Sequence, residues 1–214
     1  MVVKGLIFDL DGTLLVHKLR LREAKEKFLE RLKQLNLPSL QASIDTPIAY
    51  ILNKLDDERR DIVFNILDEV YEPFEMESAE EAELREYVRE VLEFLKNSGI
   101  RLGIATNNGR KSVELILKKK SLMEFFDTVV TRNDIRDLKP NSMMIMETVK
   151  RLDVRLSEAV HVGDTTYDVL AAHQIGVKCI AITGGAHGRE ELLSSNPEFI
   201  VDSIKEIPLI IMKM

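Results

Sequence analysis

The chain has 214 residues, 45% hydrophobic and 31% charged, which is enough apolar material for one large domain or a core carrying a smaller insertion. Its formal net charge of −6 argues against a nucleic-acid partner, which would show as a basic excess, yet leaves anionic substrates open because local cations act at short range in screened solution. No apolar run approaches the ~20 residues of a membrane span, the first apolar segment carries Lys4 and ends in acidic residues instead of a signal-peptide pattern, and the single Cys179 excludes an intramolecular disulfide, so a cytoplasmic protein with no membrane partner is expected.

Residues 2–8 predict a buried strand that opens into the turn Asp9-Leu10-Asp11-Gly12-Thr13. Leu21, Phe28, Leu32 and Leu35 then recur at helical spacing up to the stop Asn36-Leu37-Pro38, Thr46-Pro47 opens a further helix, and Ile62, Val63, Ile66, Leu67 and Val70 form another helical stripe. Ser78 and Glu81 have capping-box spacing ahead of Leu84, Val88, Val91, Leu92 and Leu95, which predicts a helix running from 78 to near Gly99. The glutamates from Glu75 to Glu86 read as a solvated helix start. Beyond it, short apolar strands at 101–105, 128–131, 159–162 and 177–182 alternate with helical stretches, which implies right-handed crossovers and a parallel sheet with helices on both faces. The fold class expected is α/β: a doubly wound parallel-sheet core over residues 1–16 and 77–214, with a small α-helical cap domain at 17–76.

Ligands of open α/β sheets bind beyond the carboxyl ends of the strands, and polar residues gather there. Asp9 and Asp11 are two apart in an extended segment and would converge on one ligand, such as a divalent cation that offsets their charge, while Gly12 permits a sharp turn. Thr106-Asn107-Asn108-Gly109 offers a hydroxyl, amides and a helix start to an anion such as phosphate. In Asp137-Leu138-Lys139-Pro140 the ammonium of Lys139 would cancel charge on phosphate and carboxylate alike. In Gly163-Asp164-Thr165-Thr166-Tyr167-Asp168, Asp164 would bind metal and Asp168 lies one helical turn further toward the same pocket. Taken singly, each is also compatible with a strand end, a helix cap or a solvated lysine. His161 reads as a packed strand residue, Cys179 as a buried strand thiol, and Met143, Met144 and Met146 as core filler; His17, His173 and His187 lack metal-ligand spacing and no histidine is given a catalytic role.

Together, and in this order, D-x-D-G-T at 9–13, Thr106-Asn107, Lys139-Pro140 and G-D-x-x-x-D at 163–168 resemble the motifs of the haloacid dehalogenase (HAD) superfamily, and the helical insert is similar to the cap of its phosphoglycolate-phosphatase-like members. Gly184-Gly185-Ala186-His187-Gly188 resembles a glycine-rich loop near the end of that subgroup. The resemblance implies a Mg²⁺-dependent phosphatase acting on a small phosphorylated metabolite, phosphoglycolate-like or a sugar phosphate. Asp9 would be the nucleophile that forms an aspartyl-phosphate and Asp11 the general acid and base. Thr106, the amide of Asn107 and Lys139 would stabilise the phosphoryl oxygens. Mg²⁺ would be held by Asp9, the main-chain carbonyl of Asp11 and Asp164, with Asp168 acting directly or through water. The second aspartate favours phosphoryl transfer over carbon–halogen chemistry. A phosphomutase of the β-phosphoglucomutase type shares these motifs, and a non-catalytic module on the same fold is the third reading. His17, Lys18, Arg20 and Arg22 are candidates to meet a second anionic group on the substrate, or else form a solvated helix face; the sequence leaves monomer and homodimer open.

Overall fold

Every residue of β1 (Gly5–Phe8) is buried, as a strand covered by helices on both faces requires. The structure, a computed structural model, describes residues 2–16, 21–35 and 42–214. After β1 come α1 (Leu21–Lys33), α2 (Ile48–Asn53), α3 (Asp57–Glu81) and α4 (Val88–Asn97). Then β2 (Arg101–Thr106), α5 (Arg110–Lys119), β3 (Thr128–Thr131), α6 (Arg132–Ile135) and α7 (Met143–Arg151) follow. The chain closes with β4 (Ala159–Gly163), α8 (Thr166–His173), β5 (Lys178–Ile182), α9 (Arg189–Ser194), β6 (Phe199–Val201) and α10 (Ile207–Ile211).

Among the described residues the strands form one six-stranded sheet in the order β3-β2-β1-β4-β5-β6, with every neighbouring pair parallel. The period of two along a strand divides its apolar side chains between two layers. Leu6, Phe8 and Ile104 pack with Val91, Leu92 and Leu95 of α4. Ile7, Ala105 and Val130 join a second cluster with Met144 and Ile145 of α7 and with Phe28, Phe64 and Leu67 of the α1–α3 segment. The strand order reverses between β1 and β4: the β1–β2 connection carries α4 on one face of the sheet and the β3–β4 connection carries α7 on the other, which opens a crevice at the carboxyl edge. Asp9 and Asp11 follow β1 and Asp164 follows β4, so the topology brings them to that crevice.

The predicted strands and their parallel arrangement are present, but three local readings change and one strand is added. Ser78 caps nothing: α3 runs unbroken to Glu81, across the expected 76/77 boundary and through Pro73, held by buried Phe74, Glu75 and Ala79, and the next helix begins at Val88. Glu75 is therefore no solvated glutamate. Of the three methionines on α7 only Met144 is buried; Met143 and Met146, three residues apart on a helix, share the outer face. The edge strand β6 was not anticipated, because three residues beginning with a half-exposed Phe carry no alternation. The stop at Asn36-Leu37-Pro38 lies outside the described residues. No helix among the described residues is long and apolar enough to cross a membrane.

Candidate active site

The turn after β1 is built by its backbone. The amide of Asp9 donates to the carbonyl of Val162 (2.8 Å), and the amides of Leu14 and Leu15 return to the carbonyl of Leu10 (2.9 and 3.0 Å). Gly12 adopts φ +77°, and a Cβ there would lie 2.2 Å from Oδ2 of Asp164, so both the turn and the approach of the two loops demand glycine. Thr13 Oγ1 donates to Asp164 Oδ1 (3.2 Å), and the amide of Ala186, in the glycine-rich loop after β5, donates to Asp164 Oδ2 (2.6 Å). Gly163 serves the other acid of its loop: a Cβ there would sit 2.2 Å from the carboxyl carbon of Asp168.

Lys139 is buried at the centre of this arrangement. Its Nζ donates to Asp9 Oδ1 (2.5 Å), Asp168 Oδ1 (2.6 Å) and the carbonyl of Ala105 (3.0 Å), using all three protons of the ammonium. Burial opposes its charge, but the two carboxylates overcome that and hold its pKa above the ordinary lysine value. Asp168 is saturated as well: Oδ1 also accepts from His161 Nε2 (3.0 Å), and Oδ2 accepts the amide and the hydroxyl of Thr165 (3.1 and 2.5 Å). Burial raises the Asp168 carboxyl, but Lys139 and His161 outweigh it and keep the group well below the usual carboxylate range. Asp9 goes the other way. Burial pushes it well above its ordinary value, and the charges of Asp168 and Asp164 add to the rise against the pull of Lys139. Asp164 is raised too, by burial and then by Asp168.

One carboxylate oxygen from each of Asp9, Asp164 and Asp168 lies within 4.8 Å of the others. Three hard oxygen donors at that spacing, two of them raised above their ordinary values chiefly by burial, fit a hard divalent cation such as Mg²⁺. Asp168 already accepts two hydrogen bonds on each carboxylate oxygen, against one on each oxygen of Asp164 and the Lys139 bond on Oδ1 of Asp9, so Asp9 and Asp164 are the better placed to take a cation directly. Asp11 stands outside this trio, with its Oδ2 held by the amide nitrogen of Asn108.

The loop after β2 is clamped from two sides. The side chain of Asn107 pairs with the backbone of Lys139, accepting from its amide (2.9 Å) and donating to its carbonyl (3.4 Å), while Thr106 Oγ1 accepts the amide of Asn108 (3.3 Å). On the other side Arg132, only 2% exposed, donates Nη1 to the carbonyl of Asn107 (3.0 Å) and to Glu75 Oε1, Nη2 to Glu75 Oε2 (3.1 Å), and Nε to Asp68 Oδ1 (2.6 Å). Glu75 Oε2 accepts the amide of Gly109 (3.0 Å) as well. The start of α5, read from sequence as open to an anion, is thus partly satisfied by a carboxylate of α3.

All seven residues singled out as site candidates, Asp9, Asp11, Thr106, Asn107, Lys139, Asp164 and Asp168, line one cavity of about 440 Å³. The profile of the haloacid dehalogenase-like hydrolases matches residues 6–182, which span all four motif loops. The chain belongs to that family. It is 30% identical to the pyrophosphatase PpaX of Bacillus anthracis, over all of this chain and 99% of the relative. Its fold is similar to a predicted phosphatase from Clostridium acetobutylicum, with a TM-score of 0.73, 23% identity and 100% of both chains covered. It is also similar to a predicted phosphoglycolate phosphatase from Haemophilus somnus, with a TM-score of 0.67, 23% identity and 97% of both chains covered.

In this HAD-like hydrolase, residues that sequence reasoning passed over also line or adjoin the cavity. Arg132 immediately follows β3, so the rule that selected the other loops would have found it had the end of β3 been read the same way. Glu75 lies inside a long helix and carried no such signal. His161 is buried in β4 as expected, but it also touches Asp168; because a carboxylate only accepts, Nε2 carries the proton, and burial keeps the imidazole below its ordinary pKa. His187 lines the cavity, accepting the amide of Thr166 at Nδ1 (3.1 Å) and meeting Tyr167 edge-on. Cys179 is buried, as predicted. His17, Lys18 and Arg20 lie outside the described residues, whereas Arg22 lines the cavity but is largely exposed and pairs with Glu26.

Proposed function

We propose that this protein is a Mg²⁺-dependent phosphatase that hydrolyses a small phosphorylated metabolite through an aspartyl-phosphate on Asp9. The observation that carries the reading is the buried Asp9–Lys139–Asp168 cluster beside Asp164, a site with an anionic nucleophile and the cations' partners in place around it. Asp9, Asp164 and the main-chain carbonyl of Asp11 would hold Mg²⁺, which would supply the positive charge that lets a carboxylate approach a phosphoryl group.

In the first step a carboxylate oxygen of Asp9 attacks phosphorus, the bond from phosphorus to the alcohol oxygen breaks, and Asp11 gives its proton to the leaving alcohol. In the second, Asp11 takes a proton from water, the water oxygen attacks phosphorus, and the acyl phosphate bond breaks to return Asp9 and inorganic phosphate. The bond from Asn108 orients the Asp11 carboxyl for both transfers. Lys139, fixed by Asp168, supports the nucleophile and, with Thr106 and the amide of Asn107, takes up charge on the phosphoryl oxygens. Asp168 acts by orienting Lys139, which accounts for its saturated carboxylate.

The full-length similarity to proteins named pyrophosphatases favours a second reading, in which the leaving group is itself phosphate. Phosphate release from a panel of phosphate monoesters and pyrophosphate, with Mg²⁺ and with chelator, tests both. Metal-dependent release is expected; isomerised product without release would assign a phosphomutase, and silence on every compound would overturn the hydrolytic reading.

A further inference from the structure

The cavity has two kinds of wall. One is the polar edge of the sheet, already described; the other comes from the α2–α3 region and consists of Ile44, Pro47, Ile48, Ala49, Leu67 and Tyr71. We propose that this second wall is the leaving-group subsite, and that it selects phosphate monoesters whose alcohol carries an alkyl or other apolar body over pyrophosphate and over short, charged esters. The inference rests on the phosphatase reading and specifies its substrate class.

Volume is the first argument. A cavity of about 440 Å³ far exceeds one phosphoryl group and falls within the roughly 300–1,000 Å³ of sites that enclose larger organic ligands. Charge is the second. The lining cations Lys139 and Arg132 are bonded to Asp9, Asp168, Glu75 and Asp68, Arg22 pairs with Glu26 near solvent, and the half-buried Lys25 feels the opposite charge of Asp45. A second charged group beyond the reacting phosphoryl would lie against the hydrocarbon of Ile44, Pro47, Ile48 and Leu67, which does not solvate it. An alkyl chain instead exchanges water for apolar contact, worth ~0.8 kcal/mol per buried methylene, or about fourfold in affinity.

The test is a homologous series from methyl to hexyl phosphate with Mg²⁺ present, run beside pyrophosphate and phosphoglycolate. The leaving alcohols differ little in basicity, so the series isolates contact with the wall. The expected result is a rise in kcat/KM of about threefold to fourfold per added methylene until the cavity fills, with pyrophosphate at least about tenfold below hexyl phosphate. Ile48→Ser and, separately, Ile44→Ser should reduce that slope, with thermal melting used to verify that each variant is folded. A flat series, an undiminished slope in both variants, or a preference for pyrophosphate or phosphoglycolate would overturn the inference while leaving the phosphatase intact. Silence on all of the compounds would overturn both.

Discussion

The carboxyl edge of the sheet and the α1–α3 segment line the same cavity with opposite materials. At the sheet edge almost every polar atom is committed: Lys139 spends three protons, Asp168 four acceptor positions, and Asn107 both ends of its amide. In the helical segment the lining is mainly hydrocarbon, and contact depends on shape and area more than on the identity of an atom. The difference matches the two roles proposed for them, chemistry at the edge and selectivity at the wall. Phosphoryl transfer needs particular groups at particular positions, whereas an apolar wall can be made from many residues of suitable size.

The comparison predicts that variants of the sheet edge differ sharply among themselves. Asp9→Asn should lower turnover by at least ~10⁴-fold, because the amide is a poor nucleophile and a weaker metal ligand. Its thermal midpoint should hold or rise, since burial and neighbouring acids oppose ionisation of the native carboxyl. Phosphate release and a melting curve on the same preparation decide it. Near wild-type activity would remove Asp9 from the mechanism.

Lys139→Met should cost activity and stability together. It leaves Asp9 and Asp168 buried without their shared cation, and breaking a buried pair from one side typically costs ~3–5 kcal/mol. Urea unfolding is the measurement. A loss of turnover with an unchanged midpoint would mean that Lys139 serves the reaction without holding the acids together.

How much was legible in the sequence follows from the same contrast. That Asp9, Asp11, Thr106, Asn107, Lys139, Asp164 and Asp168 converge on one cavity was readable because each lies at or just beyond the end of a strand, or in the loop or first turn leading into a helix, where polar residues have few structural reasons to cluster. The parallel sheet was readable because the strands at 101–106, 128–131, 159–163 and 178–182 are apolar and evenly interleaved with helices. Glu75 was not: in a run of glutamates on a helix, nothing local distinguishes the one that turns toward Arg132 from its solvated neighbours. The end of α3 was missed for a related reason. Ser78 and Glu81 have the spacing of a cap, but burial of Phe74 and Ala79 carries the helix past them. The apolar wall at Ile44, Ile48 and Leu67 looked like ordinary helix packing, which some of these residues also provide.

Glu75 is the point where the two regions meet, since it rises from α3 and holds both Arg132 and the Gly109 amide of the loop after β2. Glu75→Gln should cost less than Lys139→Met, ~1–3 kcal/mol of stability, because Asp68 still partners Arg132 and the amide side chain retains an acceptor. A rise in KM of about tenfold, larger than the fall in kcat, is expected if the loop mainly binds phosphate. A lower midpoint with unchanged kinetics would show that the pair joins α3 to the core and does nothing for the loop. Met146→Ala, on the exposed face of α7, gives the floor for these effects: within about 0.5 kcal/mol of wild type and without change in kcat or KM. Only shifts beyond that floor can be credited to Glu75.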